Sequence, residues 1–182
     1  MPDVFALLAA DHQKVRETLA RLGEEGLDAD ERGHLAEKLV MAESAHEAAE
    51  ETYFWPAVGE RLPDGADLVS AGTAQEAQVK EILEAWGDQD PGGTDFARSL
   101  ALFGAAANAH IVFEEEKVWP ALRKVLSAAE AEDLGSKVGD AIDNGPTRPH
   151  SHGPASPAGL KTVGLAQATV DKLRDAWSGR GE

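Results

Sequence analysis

The chain has no cysteine. That excludes disulfides, thiolate zinc sites, Cys-ligated iron–sulfur clusters and a cysteine nucleophile together. Aromatic residues are scarce, at 5%, and include a single tyrosine. Positive charge is scarce as well: 17 Lys and Arg stand against 33 Asp and Glu, a formal net charge of −16 over 182 residues. Nucleic acid and anionic membrane surfaces both require clustered Lys and Arg, so neither is an expected partner. No apolar run approaches the 18 residues of a membrane span. The opening Met1-Pro2-Asp3 lacks the basic-then-apolar pattern of a secretory signal, which makes a cytoplasmic location the expectation.

The acidity is not uniform. From Gly145 onward there are five Lys/Arg and three Asp/Glu, so residues 1–144 carry −18 and the remainder +2. Cation chemistry is therefore to be sought in the first 144 residues.

Four long segments there have apolar residues at helical spacing. The first runs from Asp3, a candidate N-cap, through Leu8, His12, Val15, Leu19 and Leu22 to Gly23. The second begins near Asp30 and carries Leu35, Leu39, Ala42, His46, Glu50, Tyr53 and Ala57, ending before Leu62-Pro63-Asp64-Gly65. The third opens near Asp64 and passes through Leu68, Gly72, Glu76, Val79, Leu83 and Trp86. The fourth, from Thr94, reads Phe96, Leu100, Phe103, Ala107, His110, Glu114, Lys117, Ala121. Ser127-Ala-Ala-Glu130 has capping-box spacing and opens a shorter fifth helix to about Asp143. No segment reads as a strand. The predicted fold is all-α: an antiparallel four-helix bundle with a short fifth helix over 1–144. A Pro/Gly/His-rich linker follows at 145–158, and an amphipathic C-terminal helix at 159–182.

An offset of 64 superposes the first helix pair on the second. His46-x-x-x-Glu50-Glu51 with Trp55-Pro56-Ala57 falls on His110-x-x-x-Glu114-Glu115 with Trp119-Pro120-Ala121, and His12 falls on Glu76. Six His and 19 Glu in 182 residues give about 0.6 His-x-x-x-Glu pairs by chance, so two at matching positions of a repeat carry information. A duplicated bundle with merely hydrogen-bonded histidines would bury six ionisable side chains without a cation, at several kcal/mol per unpaired charge.

Residues i and i+4 share a helix face. His46 with Glu50, and His110 with Glu114, can therefore each aim an imidazole and a carboxylate at one point. With His12 and Glu76 the donors number three nitrogens and three carboxylates. That exceeds one tetrahedral zinc and suits two five- or six-coordinate first-row ions with Glu50 and Glu114 bridging. The mixed donor set favours iron over manganese. Tyr53 lies on the same stripe and has two readings: a core aromatic whose hydroxyl finds a partner, or a phenolate ligand or redox-active group beside the metal. His34 reads as exposed. Glu43, Glu47 and Glu51 flank the site and read as a face either turned to solvent or lying just behind the ligands. His150 and His152 belong to the linker. The Trp-Pro pairs read as seals at the bundle ends.

Over residues 3–126 these motifs resemble the hemerythrin-like, HHE cation-binding family: His12, His46-x-x-x-Glu50 and His110-x-x-x-Glu114 match its pattern. The resemblance implies a non-haem di-iron centre, two irons joined by an oxo or hydroxo bridge, held by His12, His46, Glu50, His110 and Glu114. The third helix departs from the pattern, since Glu76 stands where the family usually has His: it reads as a substitute ligand, with a carboxylate just behind the ligands or a crippled second iron site as the alternatives. The resemblance further implies a small ligand (O2, NO or hydrogen peroxide) and an electron donor that the sequence does not identify. Glu76, and Tyr53 if it ligates, would add negative charge and favour the ferric state over reversible O2 carriage. The expected function is therefore reaction with peroxide or nitric oxide, as a peroxidase- or catalase-like or NO-reacting oxidoreductase. The alternatives are an O2/NO-binding or redox-sensing module signalling through residues 145–182, or iron handling.

Overall fold

The structure, a computed structural model, describes residues 2–86, 88–149 and 171. The expected C-terminal helix, apart from Asp171, and most of the expected linker, with His150 and His152, lie outside the described residues. Among those described there is no strand. Helix α1 spans Val4–Leu22, α2 Ala29–Ala49, α3 Trp55–Arg61, α4 Gly65–Trp86, α5 Thr94–Phe113, α6 Trp119–Leu122 and α7 Ala128–Asp143. Single π-helical turns, Glu50–Phe54 and Glu114–Val118, join α2 to α3 and α5 to α6 without a break. The four long rods are thus α1, α2–α3, α4 and α5–α6, joined by short loops and packed side by side as the bundle predicted from sequence.

The caps follow local chemistry. The Asp3 carboxylate accepts from the Ala6 amide at 2.8 Å, and Asp28, two residues before the expected start, does the same for Glu31 at 2.8 Å. Ser127 and Glu130 form the predicted capping box. Helix α7 lies against α1 and α2. Its approach needs Gly135, where a Cβ would come within 2.6 Å of the Pro2 carbonyl.

The π turns were not expected, and both sit at the same point of the repeat. The Trp55 amide donates to the carbonyl of Glu50 and the Trp119 amide to that of Glu114, each five residues back. The prolines that follow, Pro56 and Pro120, have no N–H and crowd the carbonyl four residues before them, so an ordinary α-turn cannot pass through intact. Widening the preceding turn by one residue relieves that conflict. The wider turn also shifts the buried stripe. Phe54 and Val58 are buried where Tyr53 and Ala57 were expected, and Val118 and Leu122 are buried where Lys117 and Ala121 were expected.

Hydrophobic burial is divided in two. One cluster includes Phe5, Leu8, Phe54, Trp55, Val118, Trp119 and residues of α7. The other, at the opposite end of the rods, includes Val15, Leu22, Leu39, Val79, Leu83, Trp86 and Phe103. Between them lie buried polar side chains: His12, His46, Glu50, Glu76, His110 and Glu114. Within the rod Thr94–Leu122 an 18-residue stretch has mean hydropathy 1.3, long and apolar enough by length and composition alone to cross a membrane, contrary to the sequence expectation. It packs on α4 and turns His110 and Glu114 inward, the arrangement of a bundle wall.

Candidate metal centre

Six donors meet at mid-bundle because each rod brings its polar residues to the same height. Glu50 spans two histidines: its Oε1 lies 3.3 Å from His46 Nε2 and its Oε2 3.7 Å from His110 Nε2. Glu114 does likewise, with Oε2 at 3.3 Å from His12 Nε2 and Oε1 at 3.8 Å from His110 Nε2. Two groups have the spacing to hold a cation, His12–His46–Glu50 and Glu50–Glu76–His110, and Glu50 belongs to both. All of the residues in them are buried, Glu50 and Glu76 completely; Glu114, in neither group, is completely buried beside them.

The donor atoms are not used up by the protein. His12 Nε2, His110 Nε2, Glu76 Oε2 and both carboxylate oxygens of Glu50 and of Glu114 are buried without a hydrogen-bond partner. Buried polar atoms are almost always paired, and orphaning one costs about 1–3 kcal/mol. A set of orphans converging on one point is explained by a ligand that accepts lone pairs, which is a cation. The residues present therefore fit a pair of metal ions.

Electrostatics agree. Burial pushes the Glu76 carboxyl well above its usual range, and Glu50 adds to the effect; the same two causes raise Glu114. Burial would lower the His110 pKa, but the Glu50 and Glu114 carboxylates raise it to about 9. Burial would raise Glu50, yet His46 and His110 hold it well below the ordinary carboxylate range. These groups keep protons among themselves that bound cations must displace.

The outer contacts obey the 64-residue repeat, and only part of them was anticipated. His46 Nδ1 faces Asp11 at 3.7 Å, and His110 Nδ1 faces Gln75 Oε1 at 3.2 Å. Arg16 grips Glu115 through two hydrogen bonds, and Lys80 donates to Glu51 at 2.6 Å. Asp11 and Gln75, Arg16 and Lys80, and Glu115 and Glu51 are each 64 apart. Glu115 also accepts from His12 Nδ1 at 3.0 Å. His12 and His110 thus each have a hydrogen-bond acceptor behind Nδ1, which orients Nε2 toward the centre, while His46 Nδ1 faces Asp11 across 3.7 Å without a hydrogen bond.

Several expectations change. Glu43 and Glu47 are buried, so the solvent-facing reading fails for them and the reading that sets them just behind the ligands remains. Helix α7 covers α2 from outside and Lys80 reaches Glu47 at 3.9 Å from α4, so little of the end of α2 meets water. The tryptophans do more than seal ends. Trp119 stacks on His12, with ring centroids 5.2 Å apart and planes at 11°, and the Trp55 indole N–H donates to Glu76. Tyr53 is not in either group of metal-spaced donors. The π turn rotates it off the inner stripe, half-buried against the first apolar cluster. His34 is exposed, as expected. The signal for the missed residues was the repeat itself, applied beyond the His-x-x-x-Glu pairs.

Comparison with known proteins places these residues in context. The family model for the hemerythrin HHE cation binding domain matches residues 3–122. An uncharacterized hemerythrin-like protein of Schizosaccharomyces pombe is 25% identical over 166 residues, 91% of this chain and 81% of the relative. The crystal structure of a hemerythrin HHE cation binding domain-containing protein from Mycobacterium kansasii, an Rv2633c homolog, shares the fold. Its TM-score is 0.70 at 21% identity, over 94% of this chain and 99% of that one.

Proposed function

The chain belongs to the hemerythrin HHE cation-binding domain family, and we propose that it holds two iron ions and reacts with peroxide or nitric oxide. The observation that carries this reading is the convergence of orphaned, fully buried donor atoms on one point. Charge counting supports the number two. Five buried carboxylates surround the centre, Glu43, Glu47, Glu50, Glu76 and Glu114, against one buried ammonium, Lys80. With all of them ionised, four negative charges are uncompensated, and two divalent cations supply four positive ones. Burying such charges uncompensated is prohibitively costly, so a single cation leaves the account open.

Bound iron would supply exchange of electrons with a small oxygen or nitrogen oxide ligand. The protein's part is positional. Glu50 and Glu114 each present two oxygens, as a bridge between adjacent ions requires. His12, His46 and His110 would give neutral nitrogen donors, with Nδ1 of His12 and His110 held from behind by Glu115 and Gln75 and that of His46 facing the Asp11 carboxylate. The apolar clusters on both sides keep bulk water from the centre. Glu76, in place of a fourth imidazole, adds negative charge and favours the higher oxidation state, which supports turnover over reversible O2 carriage.

Metal analysis of the purified protein with its absorption spectrum tests the first half. Two irons per chain with a visible band are expected; one zinc per chain would overturn the di-iron reading. The second half is tested by mixing the anaerobically reduced protein with hydrogen peroxide or NO. A rate no faster than that of free iron would overturn the claimed reactivity and leave metal binding intact.

A further inference from the structure

The two tryptophans of the repeat do different things, and the difference falls on the one first-line position where the repeat is broken. Trp55 and Trp119 are equivalent by the offset of 64, as are Glu76 and His12. Trp119 lays its ring flat on His12, and its indole N–H has no acceptor. Trp55 instead turns its indole N–H to Glu76 Oε1. It can do so because α4 carries Gly72 one turn before Glu76, where any Cβ would overlap the Trp55 ring. The position equivalent to Gly72 in the first half is Leu8. Both partners of the bond are buried, Trp55 at 1% and Glu76 at 0% exposure. A hydrogen bond to a carboxylate out of water is strong and directional. It commits one oxygen of Glu76 and leaves Oε2, which has no partner, as the oxygen facing the centre.

We propose that Trp55 is a positioning residue that makes Glu76 a one-oxygen ligand, so that the two metal positions are unequal and fill in order. This rests on the reading that the centre holds two cations. The position at His12 and His46 offers two imidazoles with shared carboxylate. The position at His110 offers one imidazole with carboxylates, one of them restricted by Trp55. Nitrogen donors raise affinity for first-row divalent ions, so the His12–His46 position fills first. The His110–Glu76 position is weaker, richer in oxygen, and dependent on Trp55 to keep Glu76 aimed.

The test is titration of the metal-stripped protein with Co(II), which favours imidazole nitrogen, binding being followed by the visible absorption of the bound ion. The wild type is expected to take two ions with separable affinities. Trp55→Phe should weaken the second about 10–100-fold, the usual effect of losing a group that orients a ligand, and leave the first unchanged. That unchanged first site is also the control for folding. Trp119→Phe should leave the second site alone, and Trp55→Phe added to Glu76→Ala should do nothing more. Unchanged second-site affinity in Trp55→Phe, or equal loss at both sites, would overturn the proposal. A wild type that takes fewer than two ions would overturn the two-cation reading instead. If Trp55→Phe does not fold, indole N–H resonances of the unaltered chain serve. The Trp55 signal, identified by its shift in Glu76→Gln, should move with the second equivalent of Zn(II) and not the first; movement with the first, or with neither, sinks the idea.

Discussion

Helices α1 and α2 and helices α4 and α5 are two versions of one unit, and they differ most in how they handle charge. In the outer ion pairs the first unit uses Arg16 with Glu115, and the guanidinium side chain is 37% exposed. The second uses Lys80 with Glu51, and the ammonium side chain is 9% exposed, with Glu47 also in reach. Opposite Glu43 and Glu47 of α2, the repeat has Ala107 and Ile111 of α5. The contacts that orient the imidazoles were kept in both copies, whereas the acids were multiplied on one side. Orientation is a geometric demand that both metal positions share; charge is set by what the whole centre must neutralise, and one side can supply it.

The largest expected effect separates the bridging carboxylates. Glu50 takes part in both cation-sized groups, whereas Glu114 takes part in neither, although it touches His12 and His110. Glu50→Gln should abolish binding of both ions, and Glu114→Gln should leave one, as read by metal content after dialysis. Equal losses would mean that the two units contribute equally, and the contrast would fail.

Next come the outer ion pairs. Lys80→Met leaves buried Glu47 and the partly buried Glu51 without their cation and should destabilise the protein by about 3 kcal/mol. Arg16→Met, in a more exposed pair, should cost about 1 kcal/mol or less. Urea unfolding of the metal-loaded protein measures both, and a reversed order would break the comparison.

A third effect concerns pH. In the metal-free protein His110 has a raised pKa of about 9 against an ordinary 6.5, so its contribution to stability is complete below pH 6.5 and lost as pH rises through 9. Buried Glu47 and Glu76, also raised, act in the same direction, because the folded form holds protons that the unfolded chain has released. The metal-free Tm should therefore fall between pH 6.5 and 9. The loaded protein has cations in place of those protons, so the gap between the two melting temperatures should widen with pH. A constant gap would argue that protons and metal do not compete.

The smallest effect is expected at Tyr53. Its equivalent in the second unit is the exposed Lys117, and neither points along the inner stripe. Tyr53→Phe should keep both ions and the visible spectrum. Loss of an absorption band would bring the phenol back to the metal.

The bundle, its caps at Asp3 and Ser127, and the burial of the six inner histidines and glutamates could be read from sequence because each depends on local spacing. His46 and Glu50 share a face in any α-helix, and the repeat says which other residues must meet them. Tyr53 and Lys117 could not be placed that way. Their position depends on a π turn, created when Pro56 and Pro120 meet the carbonyls of the preceding turn, and a fixed angle per residue does not represent it. The solvent-facing reading of Glu43 and Glu47 failed for another reason. A single buried stripe assumes that a helix has one wet face, but α7 and Lys80 close in on α2 from two sides. Burial imposed by a distant segment leaves no periodic trace in the helix it covers.

The division of the apolar interior by a polar layer has a consequence for cooperativity. Each cluster is a small core on its own, and the same four rods run through both. Stripped of cations, the layer between them is a seam of like charges and misplaced protons. Opening at that seam costs less than opening within either cluster, and local stability follows such costs. Metal ions close the seam and weld two half-sized cores into one cooperative unit. Hydrogen exchange at the backbone amides around His12, Glu50, Glu76 and Glu114 thus becomes a direct gauge of how far the chain has become a single folding domain.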